Sequence, residues 1–234
     1  KHRGHREIFL AHIDSRVYTT FGMSWITRKA VLTSTAAATV IILVTAYACY
    51  AGLWVPNYPS EMDYPVRGID VSHHQGEIKW EVVPRDSVHF VYIKSTEGGD
   101  FKDRRFEENW KGSRNVSIPR GAYHFFTLKT SGNKQADHFI ATVPVEAGML
   151  PPAIDLEFAG NSAVRPPVED FQRELTVFMD RIREHYGCEP LIYTTTDFMK
   201  HYLDNYPIER LWIRSVIVTP GMLSIDNWII WQFS

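Results

Sequence analysis

Two carboxylic acids stand one residue apart within an apolar segment, residues 153–158 (AIDLEF). Successive side chains of a β-strand point to opposite faces, so Asp155 and Glu157 share one face while Ile154 and Leu156 share the other. Acids in an apolar strand cost free energy unless they are paired, hydrogen-bonded or used in chemistry. Such a pair can divide the work of glycoside hydrolysis. One carboxyl group keeps a proton for the leaving oxygen, and another stays charged beside the cationic sugar carbon.

A third acid, Asp70, ends another apolar run, Val66–Asp70, and a polar segment that contains two histidines follows it. In a β/α barrel, acids at the carboxyl ends of parallel strands point into the mouth of the active site. Asp70, Asp155 and Glu157 are therefore the candidate catalytic set. The residues alone leave open a structural alternative, in which these acids cap loops or pair with Arg or Lys.

Other reactive patterns are weaker. His73 and His74 could contact a metal, but no third ligand stands at metal-binding spacing, and we expect these residues to line a loop or pocket. The sequence contains no H-E-x-x-H, G-x-S-x-G, P-loop or dinucleotide-binding motif. We therefore expect neither a metal nor a cofactor. Cys188 follows a Tyr-Gly turn, and we interpret it as a turn thiol rather than a nucleophile.

Several aromatic residues stand near the ends of apolar runs. Sugars stack on aromatic faces and form hydrogen bonds with their polar tips, so an aromatic cleft suits a glycan. Tyr123, Tyr193 and Trp231 stand nearest the ends of their runs and are candidate substrate-binding residues. The alternative is that these side chains belong to the core.

The elements that would position these residues alternate along the chain. Short apolar runs bounded by turn residues predict buried strands, and three- and four-residue spacing predicts helices between them. This order indicates a parallel sheet with helices outside it, and the late strands leave little room for helices. The predicted strands are Arg67–Val71, His89–Lys94, Arg120–Phe125, Pro152–Glu157, Leu191–Thr194, Leu211–Ile213 and Trp228–Phe233, and the helices lie around Trp80 and at Phe106–Arg114, Asn133–Thr142 and Val168–Tyr186.

The front of the chain carries an export signal. Ala30–Val55 contains no charged residue, and its 26 positions would span about 39 Å as a helix, enough for a bilayer core of about 30 Å. Arg28 and Lys29 precede it, so the positive-inside rule places the downstream domain outside the cytoplasm. Two interpretations stay open, a single-pass anchor or a signal peptide cleaved after Ala48. A buried soluble helix is disfavoured because the run has no polar face.

This pattern divides the chain into four segments. Residues 1–29 form a basic N-terminal segment, 30–55 the transmembrane helix or signal sequence, 56–65 a proline-punctuated linker, and 66–234 a single domain. The first 29 residues carry six basic and two acidic side chains, which leaves a net charge of −6 on the rest. An acidic domain is a poor nucleic-acid binder, because neutralising phosphates needs a basic face. We expect a monomer whose partners are a glycan and, through the helix, the membrane.

From Val66 onward the chain resembles glycoside hydrolase family 25, the Chalaropsis-type lysozymes. The resemblance rests on the ordered set of segments 68–76 (GIDVSHHQG), 92–98 (YIKSTEG), 121–126 (GAYHFF), 155–157 (DLE), 192–194 (IYT), 211–213 (LWI) and 231–234 (WQFS). It implies an α/β fold, a (β/α)5(β)3 TIM-like barrel preceded by the transmembrane or signal-anchor helix. It also implies cleavage of the β-1,4 bond between N-acetylmuramic acid and N-acetylglucosamine in peptidoglycan.

The resemblance implies roles for individual residues. Glu157 is the general acid/base, Asp155 orients the substrate acetamido group as it attacks its own anomeric carbon, and Asp70 supports the site. Such substrate assistance retains the configuration of the sugar. Glu97, in the second matching segment, joins the candidate substrate-binding residues.

The chain departs from the family pattern at two places. Family members continue past the W-Q-[YF]-S segment, so we expect the barrel to be truncated after Ser234. Residues 214–218 (RSVIV) replace the small and aromatic residues that usually follow L-W-I, so this wall of the cleft is expected to differ.

Two other functions compete with the muramidase. A membrane-anchored peptidoglycan-binding protein would keep the cleft without turnover. A chitinase-type barrel would carry D-x-x-D-x-D-x-E, which this chain lacks.

Overall fold

The computed structural model describes residues 25–51 and 57–234, which belong to two compact units. In the first, α1 (Trp25–Tyr50) is a continuous helix. Its segment Arg28–Ala48 is 21 residues long, has a mean hydropathy of 1.8 and is unburied, so by length and composition it could cross a membrane. A signal sequence meets the same criterion. Residues 1–24 and 52–56, parts of the predicted N-terminal segment, apolar run and linker, lie outside the described residues.

The second unit is built on a parallel sheet. Its strands are β1 (Gly68–Val71), β2 (Phe90–Glu97), β3 (Phe101–Lys102), β4 (Arg120–Phe125), β5 (Ala153–Leu156), β6 (Leu191–Thr195), β7 (Leu211–Arg214) and β8 (Trp228–Gln232). They follow one another in the order β1-β2-β4-β5-β6-β7-β8, all parallel, while β3 pairs antiparallel with β2. The seven predicted strands are confirmed. The two-residue β3 is too short to show a hydrophobic alternation.

The helices of this unit are α2 (Phe106–Asn115), α3 (Gly132–Thr142), α4 (Val168–Tyr186) and α5 (Thr196–Tyr202). Three predicted helices are confirmed, and the seven-residue α5 was missed because it spans only two turns. The helix predicted around Trp80 is wrong. Trp80 lies in a turn, and a four-residue 3-10 helix, Val83–Asp86, follows it. Pro84 lacks a backbone N–H and disfavours helical conformation in the preceding residue, which limits this segment to a short turn.

The outer face of the sheet packs against α3 and α4. Ile154 and Leu156 of β5 join Phe171, Leu175 and Phe178 of α4 in the main core, and each is at most 2% exposed. Burying a side chain of this size contributes about 1.5–3 kcal/mol. The apolar residues of β5 therefore hold its two acids on the opposite, inner face.

The sheet curls into a half-barrel whose inner face is concave. Its two edges come together at their carboxyl ends, where Gln232 Nε2 in β8 donates to Asp70 Oδ1 in β1 at 3.3 Å. Among residues 57–234, no strand ladder joins these edges. Residues that precede β1 pack beside β8, with Tyr58 on Phe233 and Tyr64 on Trp231 at ring separations of 5.3 and 5.6 Å.

A buried histidine ties the sheet to α3. Gln135 Oε1 accepts from the backbone N–H of Thr127 at 2.8 Å, so it also accepts from His124 Nε2, 3.1 Å away. His124 Nδ1 is then the acceptor for the Thr96 hydroxyl at 2.7 Å. Burial in this site lowers the pKa of His124 from 6.5 to about 3. The histidine is therefore neutral in the folded protein at physiological pH.

We expect His124 to make folding stability depend on pH. Its folded pKa lies below its unfolded value, so the unfolded state binds more protons between pH 6.5 and about 3. The contribution of His124 to the free energy of unfolding is fully present above pH 6.5. It is lost as the pH falls below that value, by up to about 1.4 kcal/mol per pH unit. His124→Gln should remove that slope in urea unfolding of the detergent-solubilised chain. His185→Gln, at an exposed histidine, should preserve it. If the free energy of unfolding depended on pH equally in the wild type and in His124→Gln, this account would be contradicted.

Candidate active site

The candidate acids meet on the inner face at the carboxyl edge of the sheet. Asp155 lies in β5, in register with Phe125 of β4 and Tyr193 of β6. Asp70 lies in β1, in register with Tyr92 of β2. Glu157 follows β5 by one residue and shares the side of Asp155 by strand alternation. The structure therefore brings the three acids predicted from the sequence to one end of the half-barrel.

Asp155 is the most buried of the three, with 9% of its surface exposed. Its Oδ1 has no hydrogen-bond partner among the described residues. Burial raises the pKa of Asp155 well above its ordinary value, repulsion from Glu157 raises it further, and Lys94 opposes both effects. A buried carboxyl group without a donor is suited to accept a hydrogen bond from a bound ligand.

Glu157 is half-buried and stands nearer the solvent. Burial has the largest influence on its pKa and raises it. The positive charge of Arg214 lowers this pKa, and the negative charge of Asp197 raises it. From the sequence, the charge of Asp155 is expected to raise the pKa of Glu157. In the structure this repulsion instead raises the pKa of Asp155, the more deeply buried partner and so the one that is harder to ionise.

Asp70 connects the two edges of the sheet. It accepts the hydrogen bond from Gln232 of β8 described above. Burial raises its pKa, while a backbone hydrogen bond and the charge of Arg214 lower it. Its position suits an acid that holds neighbouring groups in place.

A β-bulge brings a cation and another acid into the same cleft. The register between β2 and β4 shifts between Lys94 and Thr96. Because of this shift, Glu97 pairs with Phe125 and lies on the inner face of the sheet. Without the bulge, the alternation of side chains along β2 would place Glu97 on the outer face. Lys94 Nζ lies 2.8 Å from Glu97 Oε2 and 4.9 Å from the centre of the Phe125 ring. Sequence reasoning missed Lys94 as a site residue. The signal was a lysine at the end of an apolar strand.

Two of the three candidate aromatic residues line this cleft. Tyr123 and Tyr193 pack in the inner cluster with Trp212. Burial and the charge of Asp155 raise the pKa of both tyrosines, so both are neutral hydrogen-bond donors. Trp231 is not brought to this group. It pairs with Ile213, on the other face of β7, and its Nε1 donates to Ser215 O at 2.9 Å.

The two histidines after β1 lie in a short 3-10 helix, His73–Gln75, close to the carboxyl end of that strand. His73 Nδ1 lies 2.6 Å from Asp103 Oδ2, and its ring stacks on His74 with centres 4.0 Å apart. Among residues 25–51 and 57–234, no group of three or more His, Cys, Asp or Glu side chains has the geometry of a metal site. The bond to Asp103 fixes the orientation of His73.

Several known proteins are similar to this chain in sequence. Lysozyme M1 of Streptomyces globisporus is 31% identical over 181 residues, covering 72% of this chain and 62% of that protein. YegX of Escherichia coli (strain K12) is 32% identical over 154 residues, covering 64% of this chain and 55% of YegX. The chain therefore spans little more than half the length of YegX.

A solved structure extends the similarity to the fold. The structure of a family 25 glycosyl hydrolase from Bacillus anthracis matches with a TM-score of 0.68 and 37% identity, covering 72% of this chain and 79% of that one. The family model described as Glycosyl hydrolases family 25 matches residues 69–234, which include every strand from β2 to β8 and all three candidate acids. The resemblance seen in the sequence is confirmed, and the chain belongs to glycosyl hydrolase family 25.

Proposed function

We propose that this chain is a lysozyme-type glycosidase that cleaves the β-1,4 bond between N-acetylmuramic acid and N-acetylglucosamine in peptidoglycan. The observation that carries the proposal is the convergence of Asp70, Asp155 and Glu157 on one concave face at the carboxyl ends of parallel strands. Family membership supports a glycosidic bond as the target. The similarity to Lysozyme M1 supports the cell wall as the source of that bond.

Glu157 is the proposed proton donor. It is half-buried at the mouth of the cleft, so it can reach a bound glycosidic oxygen. Burial raises its pKa, and the carboxyl group therefore keeps its proton closer to neutral pH than an exposed glutamate does. After bond cleavage the same group, now charged, would accept a proton from the incoming water.

Asp155 is the proposed partner of the substrate acetamido group. Its unpartnered Oδ1 would accept the acetamido N–H and orient the acetamido oxygen towards the anomeric carbon. Attack by that oxygen, followed by water, gives net retention. Asp70 accepts a hydrogen bond from Gln232 and would thereby hold the β1 and β8 side of the cleft in position.

Sugar binding is assigned to Glu97, Tyr123 and Tyr193. The two tyrosines offer ring faces for stacking and hydroxyl groups for hydrogen bonds, and Glu97 offers a carboxylate to sugar hydroxyls. Trp231 is left out of this assignment because its strand position faces away from the tyrosines.

The remaining architecture is also proposed. We infer that residues 66–234 supply the strands of a (β/α)5(β)3 TIM-like barrel, that residues 56–65 link it to an anchor or signal at 30–55, and that the enzyme is a monomer. A domain that acts on peptidoglycan works outside the cytoplasm, either tethered by α1 or released after cleavage at Ala48. The apolar helix supports both forms.

Replacing the proton donor should abolish most turnover. Glu157→Gln keeps the shape of the side chain and removes the acid, so kcat should fall by on the order of 10²–10⁴. The assay measures reducing ends released from purified peptidoglycan by the detergent-solubilised chain. Glu184→Gln, at an exposed glutamate of α4, is the matched control and should keep full activity. Near-normal turnover by Glu157→Gln would refute the assignment. Binding without turnover by the wild type would favour the peptidoglycan-binding protein.

The pH profile offers a second test of Glu157. The exposed carboxylate of Asp197 raises the pKa of Glu157, so Asp197→Asn should lower that pKa. Activity needs protonated Glu157 and is lost as the pH rises through its pKa, so the alkaline limb of kcat/KM should move to lower pH. The shift should be clearest at low ionic strength. Asp204→Asn removes another exposed charge beyond α5 and should leave the limb in place. A shift to higher pH would contradict the assignment.

Topology can be tested with a fusion. A reporter enzyme that is active only outside the bacterial cytoplasm, joined after Tyr64, should be active because the basic pair Arg28-Lys29 stays inside. Replacing both basic residues with Glu should reduce export. Activity of a cytoplasm-only reporter at the same position would contradict the proposed orientation. The mass of the exported product distinguishes an anchor from cleavage after Ala48.

A further inference from the structure

Arg214 enters the cleft from β7, and its neighbours in the strand determine its direction. Leu211 and Ile213 pack outward with Ile225. Trp212 packs inward, with its ring centre 5.0 Å from that of Tyr92 and 5.1 Å from that of Tyr193. Arg214 follows Trp212 by two residues and therefore shares the inner face.

The strand register places Arg214 in the outermost row of the cleft. It pairs with Thr195 of β6 on one side and with Gln232 of β8 on the other. Leu156 pairs with Thr194, so Glu157 stands level with Thr195. Gln232 in turn donates to Asp70. The guanidinium group thus belongs between the proposed proton donor and the proposed supporting acid.

This guanidinium group is available to a ligand. The side chain is exposed, and within the part of the chain that the structure describes its guanidinium group forms neither a hydrogen bond nor an ion pair. The charge of Arg214 lowers the pKa of both Asp70 and Glu157, so it lies near them without being held in a salt bridge by either. A guanidinium group presents five N–H donors in a planar fork that matches a carboxylate with two parallel hydrogen bonds.

We propose that Arg214 binds a carboxylate carried by the muramic-acid residue of the substrate, and thereby selects acidic glycan strands over neutral N-acetylhexosamine chains. The proposal rests on the proposed function, because it assumes that a muramic-acid glycan occupies this cleft. It assigns a specificity role to the first residue of segment 214–218, where the sequence departs from the family pattern.

The carboxylate has two sources on such a glycan. In a peptide-free strand, each muramic acid exposes the carboxylate of its lactyl ether. In a peptide-bearing strand that group is an amide, and the negative charges belong to the stem peptide. Both sources present the same chemistry to an arginine, and chains of N-acetylglucosamine present neither.

An electrostatic role without ligand contact makes a different prediction. If Arg214 acted only by lowering the pKa of Glu157, its removal would move the pH profile of turnover to the same extent for charged and neutral substrates. Contact with a carboxylate changes the affinity for the charged substrate alone. Equilibrium binding of matched charged and neutral strands therefore separates the two roles.

The experiment measures Kd by fluorescence anisotropy on the full chain in detergent, in the Glu157→Gln background so that the probe is not consumed. The probes are a labelled peptide-free tetrasaccharide of alternating N-acetylglucosamine and N-acetylmuramic acid, its lactyl methylamide derivative, a peptide-bearing strand, and that strand with its peptide carboxylates amidated. The added substitutions are Arg214→Gln and, as matched control, Arg210→Gln, at the residue that precedes the amino end of β7.

We expect Arg214→Gln to raise Kd about tenfold or more for a carboxylate-bearing strand, the scale of a lost charge-assisted hydrogen bond, and to leave Kd for its amidated counterpart unchanged. If affinity falls only for the charged member of the peptide-free pair of strands, the lactyl carboxylate is the ligand of Arg214. If it falls only for the charged member of the peptide-bearing pair, a carboxylate of the stem peptide is the ligand. Equal changes for charged and neutral strands, no change, or the same loss in Arg210→Gln would overturn the proposal. Reducing ends released by wild type from the same strands test the proposed function separately.

Discussion

Asp155 and Glu157 repel each other across one residue at the end of β5, and much of the cleft serves to hold them together. Leu156, between them, is fully buried in the outer core, so neither acid can turn away without exposing it. The flanking strands β4 and β6 fix β5 from both sides. Isolated buried charges are costly, and burial together with this repulsion keeps the pKa of Asp155 well above its ordinary value.

Cations on both sides of the acids oppose this cost. Lys94 of β2 lowers the pKa of both Asp155 and Glu157 and is itself paired with Glu97. Arg214 of β7 acts from the other side on Glu157 and Asp70. The two cations differ in one respect that matters for binding. Lys94 is buried and paired, whereas Arg214 is exposed and unpaired among the described residues, so Arg214 alone of the two can exchange solvent for a ligand anion.

The outer layer of the unit contributes to the site through geometry. The bond between His124 and Thr96 holds the side chain of Thr96 outward after the bulge in β2, and Glu97 consequently faces the cleft. Ser95, within the bulge, donates from its hydroxyl to Tyr123 O at 2.9 Å. A buried polar network on the helix side thus orients an acid on the substrate side.

Local patterns in the sequence determined the strands, the long helix Val168–Tyr186 and the shared face of Asp155 and Glu157. Each of these features depends on side-chain periodicity within a few residues. A different secondary structure or strand register would expose the adjacent apolar side chains to water. The family resemblance added the roles of the acids and pointed to Glu97.

Tertiary structure decided what depends on partners distant in sequence. The bulge that turns Glu97 inward arises from the pairing of β2 with β4, and the contact between Asp70 and Gln232 arises from the curl of the whole sheet. The extra residue at Ile229 in β8 places Trp231 opposite Ile213 and Gln232 opposite Arg214, which removes the tryptophan from the inner face. No local periodicity encodes these registers, because they result from hydrogen bonding between strands that are remote along the chain.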